Sequence, residues 1–205
     1  MKFDPEAIIF DFGGVLINVD YYATIEAFKD LGIPYFEELY AKAQQSKVFD
    51  QFETGQISSQ RFINELLNYL PAGTSPNAIV NAWNAMIMEV PSESIELLEE
   101  LKSKGKRLFL LSNTNELHIP VAYKAWGKVS AKAPHELFDK IYLSHEIHQR
   151  KPNPEAFELV IRDQKLDPAN TLFIDDSVQH IEGALKVGLE AYHLQRIDDL
   201  YSLFS

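Results

Sequence analysis

Cysteine is absent from this chain of 205 residues, which excludes disulfide bonds, thiolate nucleophiles and zinc sites built on cysteine. Basic residues are scarce as well: 19 Lys and Arg stand against 30 Asp and Glu, a formal net charge of −11. A general nucleic-acid binder or a protein of anionic membrane surfaces needs a basic face, so the charge argues against both. No apolar run approaches the roughly 18 residues of a membrane span. We therefore expect no nucleic-acid partner and no membrane partner.

The rest of the composition is that of an ordinary globular protein, with 46% hydrophobic and 24% charged residues. The length allows one large domain, or one domain that carries a sizeable insert. The first residues, MKFDPEAIIFDF, place acids inside the apolar stretch and so do not resemble a secretory signal. We therefore expect a cytoplasmic protein, while the sequence leaves its oligomeric state open.

Five short apolar runs, each bounded by polar residues or turn signals, predict buried β-strands. They are Ala7 to Phe12, Arg107 to Ser112, Lys140 to Ser144, Thr171 to Asp175 and Glu190 to Leu194. Helical patterns separate the later runs, with Asn153-Pro154 before EAFELVIRDQ and Ser177 before VQHIEGALKVG. Strands that alternate with helices predict βαβ units, and hence an α/β fold with a Rossmann-like parallel sheet.

The first strand is separated from the others by a long stretch with helical signals only. These signals are helix-starting residues at Pro34, Ser58 and Ser75-Pro76, and a helix-ending glycine at Gly105. The pattern predicts a sheet domain formed by residues 1–18 and 105–205, interrupted by a helical domain of residues 19–104. We call this insert the cap.

Polar side chains stand where the predicted strands end. Asp11 ends the first strand, Ser112-Asn113 the second and Asp175-Asp176 the fourth, while Lys151 comes shortly after the third. In an open parallel sheet, ligands bind beyond the carboxyl ends of the strands. We therefore expect these four groups to converge on one site.

The chemistry of this set is specific. Three carboxylates repel one another unless a divalent cation lies between them, and oxygen ligands suit a hard ion such as Mg²⁺. Lys151 adds positive charge, and Ser112 and Asn113 offer neutral hydrogen-bond donors. A carboxylate surrounded by a cation, a lysine and neutral donors can attack a phosphoryl group and form an aspartyl-phosphate. The pattern thus favours phosphoryl transfer.

Four segments occur in the order found in haloacid dehalogenase-like (HAD) hydrolases: IIFDFGGVL, LFLLSN, the lysine of RKPNPEAF, and LFIDDS. The chain resembles that superfamily over nearly its whole length, and the cap resembles the family's first type of helical cap. More narrowly, SNTNELH, IYLSHEIHQRKP and FIDDSVQHIEGA resemble the bacterial α-D-glucose-1-phosphate phosphatases. The resemblance implies a Mg²⁺-dependent phosphatase of a small phosphorylated metabolite, with a sugar phosphate as one candidate.

The resemblance also implies roles for the strand-end residues in catalysis. Asp11 would be the nucleophile, and Lys151 would neutralise both the nucleophile and the phosphate. Ser112 and Asn113 would hold the oxygens of the transferring phosphoryl group.

A metal site is implied by the same resemblance. Asp11 would bind Mg²⁺ through its side chain, and Gly13 would bind it through its backbone carbonyl. Asp175 and Asp176 would complete the site, directly or through water.

Gly13 departs from the pattern of most phosphatases of this superfamily, which carry Asp there. That second Asp protonates the leaving alcohol and then activates water, and glycine can do neither. Asp20 is one substitute acid, although it fits a helix N-cap better. His118 is a second, although a lone histidine is more often structural. For His180 we expect a surface position.

Several alternatives follow from these residues. The break between cap helices near Gly55, with Phe49, Phe52 and Thr54, is a place where the cap would reach over the site and contact the leaving group.

The missing acid at Gly13 leaves open a protein that binds a phosphorylated ligand or a protein partner without turnover. A 2-haloacid dehalogenase is a further alternative, but it needs no metal and leaves the paired acids 175 and 176 unexplained. A phosphoglucomutase would usually keep the acid that Gly13 replaces.

Overall fold

The computed structural model describes residues 4–33, 35–36 and 47–204, so the predicted helix start at Pro34 lies outside the described residues. At its centre is a parallel sheet of five strands in the order β3-β2-β1-β4-β5. The strands are β1 (Ala7–Phe10), β2 (Arg107–Ser112), β3 (Lys140–Leu143), β4 (Thr171–Asp175) and β5 (Glu190–His193). All five predicted strands are confirmed, and the α/β fold with them.

Strand β1 shows why these runs form a parallel sheet. All four of its residues are buried, because helices cover both faces of the sheet. Ile8 and Phe10 point into one apolar cluster, whereas Ala7 and Ile9 point into a second cluster on the opposite face. A run without polar residues is what such a central strand requires.

Helices flank the sheet and fill the insert between β1 and β2. Those among the described residues are, in chain order, α1 (Tyr21–Asp30), α2 (Val48–Glu53), α3 (Ser59–Leu67), α4 (Pro76–Asn84), α5 (Ser92–Ser103), α6 (His118–Trp126), α7 (Pro134–Leu137), α8 (Ser144–Ile147), α9 (Pro154–Gln164), α10 (Val178–Lys186) and α11 (Ile197–Leu200). A 3-10 turn, Pro168–Asn170, precedes β4. Among the described residues, no helix has the length and apolar character that a bilayer crossing demands.

The predicted helix ends have the expected local causes. The Ser58 hydroxyl accepts a hydrogen bond from the Arg61 N–H, and Ser75 accepts one from the Ala78 N–H. Gly105 follows α5 with φ +79°, a conformation that favours glycine. Ser177 occupies the N-cap position of α10, but its side chain makes no capping bond.

Helices α1 to α4 have an apolar core of their own. Its centre is aromatic: Phe62 stacks on Phe52 with ring centroids 4.2 Å apart, and Trp83 packs edge-on against Phe62 at 4.9 Å. This cluster is separate from the two clusters that cover the sheet. The helical insert thus folds around its own core, above the carboxyl edge of the sheet.

The chain enters and leaves the insert through two adjacent, hydrogen-bonded segments. Asn18 N–H donates to the Glu89 carbonyl, and Asp20 N–H donates to the Met86 carbonyl. Helix α5 packs with the sheet, to which it contributes Leu98 and other buried residues. The division into 1–18 with 105–205 and 19–104 stays a prediction. From these contacts we propose that its last boundary lies near residue 89.

Candidate active site

The strand ends bring the predicted polar groups to one edge of the sheet. Strand β1 lies between β2 and β4, so Asp11 is flanked by Ser112 on one side and Asp175 on the other. The Asp11 N–H donates to the Ile174 carbonyl at 2.9 Å, which extends the pairing of β1 with β4 by one residue. All three side chains are buried.

Lys151 joins two of these carboxylates. Its side chain is fully buried, with Nζ 2.8 Å from Asp11 Oδ1 and 2.6 Å from Asp175 Oδ2. A buried ammonium group is tolerated only where anions compensate it, and here two do. The sequence places these three residues far apart, and the fold brings them into direct contact.

The Asn113 side chain holds the Lys151 backbone. Its Nδ2 donates to the Lys151 carbonyl at 2.8 Å, and its Oδ1 accepts from the Lys151 N–H at 2.9 Å. Both ends of the amide are therefore engaged by Lys151. The expectation that the Asn113 side chain holds phosphoryl oxygens stays a prediction, and the structure adds a positioning contact to Lys151.

Burial and charge act differently on the two carboxylates beside Lys151. Burial raises the pKa of Asp11, and the Asp175 charge raises it further, against the opposing pull of Lys151. Burial would also raise the pKa of Asp175, but Lys151 and a hydrogen bond from His180 outweigh it and lower that pKa. Asp175 is thus the more firmly ionised partner of Lys151, while Asp11 takes up a proton at a higher pH than an ordinary aspartate.

The acidic groups fit a divalent cation. Ligand atoms of Asp11, Asp175 and His180 lie within 4.8 Å of one another. Asp176 lies beside the loop after β1: a Cβ on Gly14 would stand only 2.2 Å from Asp176 Oδ2. Burial and the neighbouring Asp175 raise the pKa of Asp176 as well. The charged forms of Asp11 and Asp176 would both be stabilised by a cation, and the loop after β1 offers backbone carbonyls beside them. Mg²⁺ prefers such oxygen ligands.

The prediction of a surface position for His180 is wrong. Its side chain is only 17% exposed, and Nδ1 lies 2.9 Å from Asp175 Oδ1. Helix α10 begins directly after the paired acids, so its first turn carries His180 back over Asp175. The short spacing from the acids places residue 180 one turn into the helix, but the spacing does not show which way the side chain points.

Asp20 is a helix cap, as its better-fitting interpretation predicts. Its exposed carboxylate accepts hydrogen bonds from the Tyr22 and Ala23 N–H groups at the start of α1. It does not line the cavity described next. The structure therefore removes Asp20 as the substitute for the acid missing at Gly13.

A cavity of about 210 Å³ lies between the cap and the strand ends. Its lower wall includes Gly13, Ser112 and Asn113, and its upper wall includes Glu53 and Trp83. Phe49, Phe52 and Thr54, next to the predicted break, are buried and do not line it, whereas their neighbour Glu53 does. The pattern thus located the right segment but missed the residue that faces the cavity.

Arg150 is a second residue that sequence reasoning missed. Its guanidinium pairs with two carboxylates of α2, at 3.0 Å from Asp50 Oδ1 and 2.9 Å from Glu53 Oε2. The pair of Arg150 and Glu53 also borders a larger groove of about 610 Å³. Among the strand-end residues, only Lys151 lines that groove, so we assign the smaller cavity to the chemistry. The position of Arg150, next to Lys151 in the chain, was the available signal.

His118 links the sheet domain to the cap. Its ring stacks on Trp83 with centroids 5.1 Å apart, and Nδ1 lies 2.7 Å from Asn84 Oδ1. Since Oδ1 only accepts, Nδ1 is the protonated nitrogen of a neutral ring. Burial lowers the pKa of His118 from 6.5 to about 4. A ring that stays neutral at pH 7 has no proton to give as imidazolium, which weakens His118 as the substitute acid.

The lowered pKa of His118 predicts a pH-dependent stability. The unfolded chain binds this proton more readily, so the contribution is present above about pH 6.5 and is lost as the pH falls toward 4. The shift corresponds to a loss of about 3 kcal/mol in the free energy of unfolding. Urea unfolding of the wild type and of His118→Gln across this range isolates the effect. We expect the stability difference between them to shrink as the pH falls, and a constant difference would contradict the assignment.

The sequence is similar to known hydrolases over most of its length. A sequence model of a hydrolase family, described as haloacid dehalogenase-like hydrolase, matches residues 5–188. D-ribitol-5-phosphate phosphatase of Bacteroides thetaiotaomicron is 30% identical over 185 residues, which cover 90% of this chain and 89% of that protein. A sesquiterpene phosphatase of Aspergillus oryzae is 28% identical, covering 92% of this chain and 89% of that protein.

A solved structure is also similar throughout. The crystal structure of a HAD family enzyme from Bacteroides thetaiotaomicron, in complex with magnesium and inorganic phosphate, superposes with a TM-score of 0.86 at 33% identity. The match covers 94% of this chain and 95% of that one. The similarity therefore includes both the sheet domain and the insert.

Proposed function

The chain belongs to the haloacid dehalogenase-like hydrolase family and is a phosphoric monoester hydrolase; we propose that it uses Mg²⁺ and an aspartyl-phosphate on Asp11 to hydrolyse a small polyol or sugar phosphate. The observation that carries this proposal is the buried contact of Lys151 with both Asp11 and Asp175. A carboxylate next to a fixed cation at the strand ends supports an attack of Asp11 on phosphorus.

The residues of this chain would divide the reaction among them. Asp11 attacks phosphorus, and the Lys151 ammonium group offsets charge on the attacking carboxylate and on the phosphoryl oxygens. The Ser112 hydroxyl, buried at the end of β2, donates to a phosphoryl oxygen. Asn113 keeps Lys151 in place through its two backbone contacts.

Magnesium would bind at Asp11, Asp176 and the Gly13 carbonyl. Asp175 already contacts Lys151 and His180, so we propose that it completes the metal site from one side. It would bind the ion directly or through a water molecule. When bound, the ion supplies positive charge to the phosphoryl oxygens and lowers the pKa of Asp11, so that the nucleophile is ionised at neutral pH.

The size of the cavity favours a small leaving group. At about 210 Å³ it is below the roughly 300–1,000 Å³ of pockets that take drug-sized ligands. Its wall combines the Trp83 and Met86 side chains with polar groups of Glu53 and His118. Such a lining suits the hydroxyl groups and the short carbon chain of a pentitol or hexose. D-ribitol-5-phosphate and α-D-glucose-1-phosphate are the first candidates. The first of them is the substrate in the name of the 30% identical relative.

Phosphate release from a panel of polyol and sugar phosphates tests the proposal. With Mg²⁺ we expect release from at least one member, and with EDTA we expect release to fall to background. Release that EDTA leaves unchanged would contradict the metal, and no release from any member would favour a protein that binds without turnover. The missing acid at Gly13 would then explain the lack of turnover.

Thermal or urea unfolding gives a readout of Mg²⁺ without turnover. At about 100 times its Kd, the ion should stabilise the wild type by about 2.7 kcal/mol. Asp176→Asn should lose most of this gain. Asp198→Asn, an exposed carboxylate paired with Arg196, should keep it. Equal gains in both variants would show that Asp176 does not bind the metal.

A further inference from the structure

Proton transfer to the leaving group lacks an obvious residue in this site. Gly13 offers no side chain, Asp20 caps a helix away from the cavity, and His118 is neutral with its one ring proton directed at Asn84. Ordinary alkoxides leave slowly without a proton, and general acid–base catalysis typically contributes about 10²–10⁴-fold. A group from elsewhere in the fold is needed if the substrate is an alcohol phosphate.

Glu53, the last residue of α2, faces the cavity from the side opposite the strand ends. It lines the same cavity as Gly13, Ser112 and Asn113. Its side chain is 18% exposed, and its Oε2 atom is buried without a hydrogen-bond partner among the described residues. The Arg150 guanidinium lies 2.9 Å from that oxygen, but not in line for a hydrogen bond. That oxygen is therefore next to the charge of Arg150, but its hydrogen-bonding capacity is unused among the described residues.

The surroundings of Glu53 suit a group that gains and loses a proton. Burial raises its pKa, and the nearby Asp50 raises it further, while Arg150 acts in the opposite direction. A carboxyl with a raised pKa gives up its proton nearer to neutral pH than an ordinary glutamate does. The ion pair with Arg150 holds the carboxyl at the end of α2, next to the residue that precedes Lys151 in the chain.

Given the phosphatase activity proposed above, we infer that Glu53 of the cap is the general acid and base of this enzyme and supplies the function that Gly13 cannot. The inference adds a catalytic residue to the proposed reaction. It also explains how a cap residue becomes part of the active site: catalysis would require the cap to sit on the strand ends as it does in this structure.

The two steps balance as follows. In the first, the Asp11 carboxylate forms a bond to phosphorus, the bond from phosphorus to the leaving oxygen breaks, and the leaving oxygen keeps the electron pair and takes the Glu53 proton. In the second, the Glu53 carboxylate removes a proton from water as that water attacks the phosphorus of the aspartyl-phosphate. Inorganic phosphate leaves, Asp11 is restored as a carboxylate, and Glu53 is again protonated.

Glu53→Gln tests this assignment because it keeps the size of the side chain and removes the proton. With a polyol or sugar phosphate, we expect turnover to fall by about 10²–10⁴-fold. With p-nitrophenyl phosphate, whose leaving group needs no proton, we expect one rapid equivalent of p-nitrophenol per active site followed by a stalled aspartyl-phosphate. Rapid-quench kinetics and the mass of the intact protein detect the burst and the phosphoryl group.

Glu26→Gln is the matched control, since it makes the same chemical change on the exposed face of cap helix α1, where Glu26 pairs with Lys29 and does not line the smaller cavity. It should keep the wild-type ratio of rates on the two substrates and show no stalled intermediate. If Glu53→Gln loses the burst together with turnover, or slows both substrates equally without a burst, Glu53 is not the acid. Absence of Asp11-dependent turnover in the wild type would instead contradict the proposed function itself.

Discussion

Asp11→Asn is expected to lower phosphate release by about 10⁴-fold or more, because it removes the group that attacks phosphorus. The amide is nearly the same size as the carboxylate and can still accept from Lys151 Nζ, which lies 2.8 Å from Asp11 Oδ1 in the wild type. The loss should therefore be in turnover, with the fold intact. Phosphate release at saturating substrate and Mg²⁺ measures it, together with a urea unfolding curve.

The stability of the same variant separates chemistry from folding. Burial raises the pKa of Asp11, so its ionisation is unfavourable in the folded protein. We thus expect Asp11→Asn to unfold at a urea concentration no lower than that of the wild type near neutral pH. A variant that loses both activity and stability would show a structural role instead.

Asp20→Asn is the matched control for this substitution. The chemical change is identical, and asparagine is as good an N-cap residue as aspartate, so α1 should keep its start. Activity within a few-fold of the wild type is expected on alkyl and aryl phosphates alike. A large loss on alkyl phosphates alone would return Asp20 to consideration as the proton donor and would count against Glu53.

The strand ends were predictable because parallel sheets follow strong rules. A short apolar run such as Ala7–Phe10 is buried on both faces, and its carboxyl end faces the same edge as the ends of its neighbours. The polar residues that follow three such runs therefore had to converge. The contact of Lys151 with Asp11 and Asp175 follows from that rule, although its distances do not.

The cap was less predictable, because its residues reach the site through tertiary packing. Glu53 and Arg150 are far apart in the chain, and no periodic pattern pairs them. His180 was missed for a different reason: a histidine on the first turn of a helix has the same sequence signature whether it faces solvent or a carboxylate. The last boundary of the insert also stays a prediction. Helix α5 has an amphipathic pattern that fits either domain, and only its contacts place it on the sheet.

The contrast between the strand ends and the cap has a functional consequence. In the proposed reaction, the residues at the strand ends carry out the chemistry at phosphorus. The cap would contact the leaving group through the wall of the cavity and would supply its proton from Glu53. Relatives of this chain act on different phosphates, as the names of the ribitol and sesquiterpene phosphatases indicate. Variation in the cap is the simplest physical account of that difference, because in the proposed reaction the leaving group would lie against the cap wall of the cavity, which includes Glu53 and Trp83.

Lys151→Met is expected to have the largest effect on stability. Methionine keeps an unbranched apolar side chain of similar length, so little packing is lost, although the approach of Nζ to the Phe173 ring disappears. The charge is lost, however, and Asp11 and Asp175 are left buried with no ammonium group between them. Removing one partner of a buried ion pair costs about 3–5 kcal/mol in the free energy of unfolding. Phosphate release should fall to background as well.

The pH dependence of this loss identifies its cause. Burial lowers the pKa of Lys151, but the two carboxylates outweigh it and raise that pKa, so Lys151 stays protonated from pH 5 to pH 8 in the wild type. In Lys151→Met the unpaired carboxylates carry the penalty, which disappears as they take up protons. We therefore expect the stability deficit to be large at pH 8 and clearly smaller at pH 5, in urea unfolding curves of variant and wild type.

Lys186→Met controls for the loss of a lysine as such. Lys186 is exposed at the end of α10, where a substitution usually changes stability by no more than about 0.5 kcal/mol. Its small deficit should not depend on pH between 5 and 8. If Lys151→Met showed an equal deficit at both pH values, lost packing rather than exposed charge would be the cause. Asp11 would then lack the electrostatic support on which the proposed nucleophile depends.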